Sequence, residues 1–180
     1  MMKYLLNGQE SERLWFRQVS ESHVQEWLTF FENPITSQFL IANKDLPEID
    51  CREWYHKQRT RYQNDLGGMN ALIDKITGKL VGHAGLLVQE VNGIKELEVA
   101  YSLVPEFWHQ GYATEAAKKC KDYAFQNDFS PSLISIISLT NLPSEAVARK
   151  NGMVVDFETC YNENRVNIFR IQKDWWIQNR

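Results

Sequence analysis

Three things that the sequence lacks exclude whole classes of protein. It has only three cysteines, an odd number at wide spacings, which supports neither a disulfide framework nor a metal knuckle. Its longest apolar run, residues 133–139, has the length of a strand and not the roughly 18 residues of a membrane span. Its formal net charge of −3 offers no basic face built to hold nucleic acid. We therefore expect no membrane contact and no nucleic-acid partner.

What remains is the composition of an ordinary globular protein, with 43% hydrophobic and 24% charged residues. No repeat, linker or low-complexity tract divides the chain, so residues 1–180 are expected to form a single domain. The scattered cysteines and four scattered histidines predict free thiols in a reducing cytoplasm and no metal site. Residues 1–10 lack the apolar core and cleavage site of a secretion signal, which also favours a cytoplasmic protein.

Hydrophobic periodicity predicts the element order β, α, α, β, β, β, α, β, α, β, β, which is typical of an α/β fold with a mixed sheet and helices on both faces. The predicted strands cover residues 14–19, 69–74, 80–89, 95–104, 133–139, 153–161 and 166–174. Helical stripes follow residues 24–31 and 51–62, a short piece covers 36–43, and two further helices cover 111–127 and 141–151. Capping boxes are expected at Ser22 with Gln25 and at Asp45 with Glu48.

One segment, residues 105–115, connects a predicted strand to a predicted helix and contains Gly111 at the junction. A glycine turn at a helix start directs several unpaired backbone N–H groups into one space, with the positive end of the helix dipole behind them. Such a site suits a pyrophosphate, and Gly111 and Ala113 would let the backbone approach the phosphates closely.

Around this segment the chain reads Glu98-Val-Ala-Tyr101, then Pro105-Glu-Phe-Trp-His-Gln-Gly-Tyr-Ala-Thr-Glu-Ala116, then Asn141-Leu-Pro-Ser144 and Gly152-Met153. This order of motifs resembles the GNAT superfamily of N-acetyltransferases, in the branch of the ribosomal-protein N-terminal acetyltransferases. The resemblance covers about residues 14–176. It implies a twisted, mostly antiparallel sheet of about six or seven strands, with a splayed cleft between the fourth and fifth. It also implies acetyl transfer from acetyl-CoA to a primary amine, on a protein N-terminus or a small molecule, within a ternary complex.

The resemblance also implies which residues bind coenzyme A. The backbone of Ser102, Leu103 and Val104 would pair with the pantetheine arm. Asn141 and Ser144 would face the cofactor, although both are also ordinary helix-capping residues. The pyrophosphate would be held by backbone N–H groups of the turn and first helical residues: Gln110, Gly111, Tyr112, Ala113 and Thr114.

Catalysis requires a group that takes a proton, because a primary amine with a pKa of ~10.4 is protonated at neutral pH. Glu98 is the first candidate base, since it faces away from the apolar stripe of its strand and toward the N-terminal helices. The alternative is a solvated glutamate without a role. His83 on the neighbouring strand is the second candidate, with a hydrogen-bonded scaffold histidine as the alternative.

Two departures from the family pattern keep other functions open. Ala148 stands where many superfamily members have a tyrosine that protonates the leaving thiolate, and Gln110 replaces a basic loop residue. A non-catalytic acyl-CoA-binding module is therefore the alternative function. A nucleotide-binding protein is a third, but the sequence lacks a Walker-type lysine and a Rossmann glycine triplet.

The sequence does not name the amine or settle the oligomeric state. The C-terminal hairpin with Trp175 and Trp176 is a candidate homodimer contact. Aromatic residues crowd the two N-terminal helices, where they form core or line an acceptor pocket. They are Trp27, Phe30, Phe31, Trp54, Tyr55 and Tyr62.

Overall fold

A computed structural model describes residues 2–37 and 46–180. The strands are β1 (Leu14–Gln18), β2 (Gly67–Asp74), β3 (Leu80–Val91), β4 (Ile94–Leu103), β5 (Ser132–Ser138), β6 (Val154–Tyr161) and β7 (Asn164–Gln172). The helices are α1 (Val24–Glu32), α2 (Pro34–Ser37), α3 (Pro47–Gln63), α4 (Tyr112–Gln126), α5 (Leu142–Lys150) and α6 (Lys173–Gln178), with 3-10 turns at Glu21–His23 and Pro105–Phe107. All seven strands form one sheet in the order β1-β2-β3-β4-β5-β7-β6. The predicted α/β architecture with a mixed sheet is confirmed.

The sheet is antiparallel except at its centre, where β4 and β5 run parallel. These two strands share one residue pair, Glu98 with Ile134. Beside that pair, the Ser135 hydroxyl donates a hydrogen bond of 2.7 Å to the Val99 carbonyl. The strands then part, which confirms the predicted splay between the fourth and fifth strands.

Helices cover both faces of the sheet. His83 of β3 contacts Trp27 of α1 and Trp54 of α3, so these helices lie on the face to which His83 points. Tyr101 of β4 pairs with Ala84, the neighbour of His83, and therefore points to the opposite face. Its hydroxyl reaches α5 there, and α4 packs against α5 and against β3 and β4. The small residues of α4, among them Ala116, Ala117, Cys120 and Ala124, are buried against the sheet.

Some local predictions were wrong or fall outside the described residues. The Ser22–Gln25 capping box does not form, because a 3-10 turn precedes α1 and the Ser22 hydroxyl instead bonds the Ser20 hydroxyl at 2.6 Å. Asp45 of the second capping box lies outside the described residues, as does most of the short piece at 36–43. The predicted strand at residues 69–74 begins two residues earlier, at Gly67. A Cβ at Gly68 would lie 2.6 Å from the Tyr62 ring, so α3 packs this closely only against glycine.

The C-terminus also differs from the prediction. Residues 173–174 begin the short helix α6 instead of extending the last strand. Trp176 on this helix is buried, stacks near Phe125 and donates a hydrogen bond to Asp122. Its side chain is therefore used inside the molecule, whereas Trp175, the other tryptophan of the candidate dimer contact, remains exposed. Among residues 2–37 and 46–180, no helix combines the length and apolar character needed to cross a membrane.

Arg170 of β7 ties the two halves of the sheet together near the point where β4 and β5 last touch. Its guanidinium forms a fork with both carboxylate oxygens of Glu96 on β4, at 2.7 and 3.1 Å. It also donates to the Ser132 hydroxyl on β5 and to Asp156 on β6. The Arg170 and Glu96 side chains are only 16% and 15% exposed, so little water competes for these bonds.

Replacing this arginine is expected to destabilise the fold much more than replacing a surface arginine on the same strand. Arg170→Met leaves Glu96 partly buried without its partner, which should cost about 2–3 kcal/mol of unfolding free energy. Arg165→Met removes the exposed pair with Glu158 and should cost less than about 1 kcal/mol. Urea unfolding of both variants measures the two losses in unfolding free energy. Equal losses would show that Arg170 stabilises the sheet no more than a surface arginine does.

Candidate active site

The parting of β4 and β5 opens a cleft of about 740 Å³. One wall is β4 from Glu98 to Leu103, and another includes Ser135 and Ile136 of β5. The first turns of α4 and α5 also border the cleft, as do Phe30 and Thr36 from α1 and α2. Strand edges, two helix starts and the N-terminal helices thus meet around one space.

The backbone of β4 faces the cleft at alternate residues. The Val104 amide donates to the Val81 carbonyl at 3.0 Å, so it is directed to β3 and is not free for a ligand. The Leu103 carbonyl instead accepts a bond from the Trp108 indole at 2.8 Å. Because the backbone N–H and C=O groups of successive strand residues point to opposite edges of the strand, those of Leu103 and Tyr101 point toward the cleft.

The three residues predicted to pair with the pantetheine arm differ in this respect. Leu103 directs its backbone groups to the cleft, whereas the backbone of Ser102 and Val104 is directed to β3. Tyr101, which was not among the predicted residues, also directs its backbone to the cleft, and the two-residue period of the strand was a signal for this.

The turn before α4 presents the predicted helix start to the cleft. Gly111 adopts a left-handed backbone with φ of 83° and caps the helix, and its carbonyl accepts the first helical bond from Glu115. The N–H groups of Tyr112, Ala113 and Thr114 therefore have no carbonyl one turn earlier to receive them. All three residues and Gly111 line the cleft. A Cβ at Gly111 would meet only the Arg13 guanidinium, at 3.4 Å, so it is the positive φ that favours glycine.

Gln110 is the exception among the predicted phosphate-binding residues. Its side-chain amide turns back to the Glu106 carbonyl at 2.8 Å, and its own carbonyl accepts a bond from Arg13. It does not line the cleft.

Asn141 forms the helix cap that the sequence offered as one interpretation, and Asn141 and Ser144 both lie at the cleft. The Asn141 side chain caps α5 by accepting the Ser144 amide at 3.2 Å, and both residues border the cleft. The Ser144 carbonyl accepts the Tyr101 hydroxyl at 2.8 Å. Ala148, one turn further along α5, is buried and has no hydroxyl, so the Tyr101 phenol is the acidic O–H that reaches this helix from the cleft wall.

Glu98 lies at the inner end of the cleft, where β4 last touches β5. Its side chain is 8% exposed, which excludes the solvated glutamate considered above. It accepts a hydrogen bond from Gln89 at 2.7 Å and a longer one from the Ile136 amide at 3.4 Å. Burial raises the pKa of Glu98, and these bonds together with the positive charge of Arg61 only partly oppose that effect.

His83 lies behind the cleft and does not line it. The ring is fully buried, with centroids 4.4 Å from Trp27 and 4.5 Å from Trp54. Within the described part of the chain, neither ring nitrogen has a hydrogen-bond partner among the protein groups. Burial holds the pKa of His83 well below its ordinary value, and the ring is neutral at pH 7. The structure thus brings Glu98, and not His83, to the cleft.

The predicted aromatic cluster divides in a similar way. Phe30 borders the cleft, whereas Trp27, Tyr55 and Tyr62 are buried in the core. Trp54 and Phe31 pack against that core. In the described residues, no group of three or more histidine, cysteine or acidic side chains is arranged to hold a metal ion.

Comparisons with known proteins agree with this geometry. Residues 13–154 match the family model described as acetyltransferase (GNAT) domain. The uncharacterized protein YkkB of Bacillus subtilis (strain 168) is 31% identical over 126 residues, which are 68% of this chain and 70% of that protein.

Solved structures show the same fold. An acetyltransferase from Agrobacterium tumefaciens str. C58 superposes with a TM-score of 0.76 at 24% identity, over 91% of this chain and 93% of that one. The ribosomal L7/L12 alpha-N-protein acetyltransferase RimL, solved in complex with coenzyme A, superposes with a TM-score of 0.72 at 18% identity, over 92% and 97%. With a family model that covers most of its length and a cleft of the expected form, the chain belongs to the GNAT acetyltransferase family.

Proposed function

We propose that the protein transfers an acetyl group from acetyl-CoA to a primary amine, on a protein N-terminus or a small molecule, by direct attack in a ternary complex. The observation that carries this proposal is the cleft itself, in which strand backbone lies on one wall and unpaired helix N–H groups lie at one end. The name of RimL, an alpha-N-protein acetyltransferase, favours an N-terminal amine among the acceptors.

The residues around the cleft fit coenzyme A. The N–H groups of Tyr112, Ala113 and Thr114, at the positive end of the α4 dipole, would bind the pyrophosphate. The backbone of Leu103 and Tyr101 would pair with the amides of the pantetheine arm, and Asn141 and Ser144 would lie beside it. Most of the lining is apolar, as expected for a site that must hold a long flexible arm away from water.

The acceptor would approach at the inner end of the cleft, beside Glu98. Acetyl-CoA supplies an activated thioester, so the protein must provide proximity, a proton acceptor and a donor for the developing oxyanion. Glu98 would take the proton from the amine, directly or through one water, and its raised pKa makes it a stronger base than an exposed glutamate. The N–H of Leu103 or Tyr101 would stabilise the oxyanion.

The departing thiolate needs little help, because a thiolate is a fair leaving group. Burial raises the pKa of the Tyr101 phenol, so that hydroxyl stays protonated. To donate to the thiolate in place of the tyrosine missing at Ala148, it would first give up its present bond to the Ser144 carbonyl. A non-catalytic acyl-CoA-binding module is the second candidate, motivated by Ala148 and Gln110. It shares the cofactor site and differs by the absence of turnover with any amine.

Acetyl-CoA should stabilise the protein against heat, whereas ATP and NAD should not. At about 100 times its dissociation constant a ligand adds about 2.7 kcal/mol, which corresponds to roughly 5–10 °C in melting temperature for a domain of this size. A thermal melt with each ligand measures the shift. A shift with ATP or NAD alone, or none at millimolar acetyl-CoA, would contradict the proposed cofactor, and a shift with acetyl-CoA justifies an amine screen to separate enzyme from binding module.

Replacing Glu98 by glutamine should lower kcat with an accepted amine by roughly 10²–10⁴-fold, the usual contribution of a general base. Because burial raises the folded pKa of Glu98, wild-type activity should fall as the pH drops through a value above that of an ordinary glutamate, and the variant should lose this step. Glu90→Gln, on an exposed residue of the adjacent strand, is the matched control and should leave the profile unchanged. Turnover of Glu98→Gln equal to wild type across the neutral pH range would remove Glu98 from the base role.

A further inference from the structure

Arg13, just before β1, contacts the turn that leads into α4, about one hundred residues later in the chain. Its Nε donates to Glu115 at 2.7 Å, and one terminal guanidinium nitrogen donates to the Gln110 carbonyl at 3.0 Å. The guanidinium carbon lies 4.1 Å from the centroid of the Tyr112 ring. The Arg13 side chain therefore contacts Gln110, which precedes Gly111, and both Tyr112 and Glu115 in the first turn of α4.

Glu115 and Tyr112 are themselves anchored to the same side of the molecule. The Glu115 carboxylate also accepts the Ser11 hydroxyl and the Arg13 backbone amide, each at 2.7 Å. These bonds keep the pKa of Glu115 below its ordinary value, even though burial acts to raise it. The Tyr112 hydroxyl donates to Asp74, at the end of β2, at 2.8 Å. Four separate hydrogen bonds thus fix the first turn of α4 to the β1–β2 edge of the sheet.

The turn that these contacts hold is conformationally demanding. His109 has a positive φ of 60° and Gly111 one of 83°, with Gln110 between them. A left-handed backbone is unfavourable at a residue with a side chain, so His109 keeps it only if its surroundings hold it. The bond from Arg13 holds the Gln110 carbonyl oxygen away from the cleft. Inside the cleft, this oxygen would repel an anion. The same turn leaves the N–H groups that follow facing inward.

From these contacts we propose that Arg13 is a positioning residue for the phosphate end of the cofactor. It acts by holding the turn at residues 109–111 and the first turn of α4, so that their N–H groups converge on the cleft. The inference rests on the proposed function, because it concerns the same cofactor site. Through this turn, Arg13 would make the protein bind a thioester that carries a pyrophosphate more tightly than a thioester that lacks one.

Geometry, rather than charge, is the means by which Arg13 acts. Glu115 neutralises it at 2.7 Å, and Arg13 does not line the cleft, so it offers no free cation to a phosphate. An ordinary surface ion pair would contribute little to any function. Arg13 differs because its planar fork bridges a carboxylate and a carbonyl while stacking on a ring, and a lysine cannot reproduce that combination.

The test compares the binding of two thioesters by the full chain. Acetyl-CoA carries the pyrophosphate, whereas S-acetylpantetheine ends before it, and NMR titration measures both dissociation constants even when binding is weak. Arg13→Gln should weaken acetyl-CoA about tenfold, which corresponds to about 1.4 kcal/mol, and should leave S-acetylpantetheine unchanged. Arg17→Gln removes the same charge from β1 at a residue that stacks on Trp15, and both ligands should bind to it as they do to the wild type.

A second variant covers the case in which Arg13→Gln does not fold. Arg13→Lys keeps the charge and one bond to Glu115, and it should still weaken acetyl-CoA several-fold because it cannot also hold the Gln110 carbonyl. In an active enzyme, the loss should appear in KM for acetyl-CoA, with KM for the amine unchanged.

Two results would overturn the role of Arg13. The first is unchanged acetyl-CoA binding in a folded Arg13 variant, and the second is equal weakening of both thioesters, which indicates a general disturbance of the cleft. A wild-type protein that binds neither thioester would instead contradict the proposed function, so the two failures are distinguishable.

Discussion

The structure depends on one constraint: the parallel strands β4 and β5 pair at a single pair of residues and then separate. A sheet gains its stability from continuous ladders, and an internal gap leaves strand edges that nothing in the sheet pairs. The gap persists because the strands are tied firmly at its closed end. Glu98 pairs with Ile134, Ser135 bonds the Val99 carbonyl, and Arg170 joins Glu96 to the strands on the other side. The cleft is therefore a fixed feature of the sheet with backbone polar groups already in place for a ligand.

The same constraint produces the unusual environment of Glu98. Glu98, in the last ladder pair, lies between β3 and β5 and is buried, yet it still borders the cleft. Burial then raises its pKa, while Gln89 keeps the carboxylate oriented. Burial alone does not bring a residue to the cleft, because the buried ring of His83 is enclosed by Trp27 and Trp54 and does not line it.

The phosphate end of the cleft depends on contacts from the far edge of the sheet. Arg13 and Asp74 lie at the β1–β2 side, and through Glu115 and Tyr112 they hold the first turn of α4. A helix start can bind an anion only if its N–H groups point to one place, and an irregular turn with two left-handed residues would not maintain that by itself. The edge strands thus hold the helix start that borders the cleft, although they lie outside the cleft themselves.

Local patterns in the sequence were sufficient for the strands, the glycine turns and the helix that follows Gly111, because alternation and turn chemistry act between near neighbours. They also placed Glu98 on the correct face, since a two-residue period alone determines that. Four features were decided only by the tertiary structure: the Arg170 tie to Glu96, the Val104 amide bond to Val81, the burial of Trp176 and the bracing by Arg13. Each feature is a contact between residues of different strands or helices. The periodicity of a single segment does not predict such a contact, because the packing of separate elements selects the partner. The sequence by itself therefore determined which segment forms the glycine turn and the helix start, and the packing of distant elements decided which of its backbone groups face the cleft.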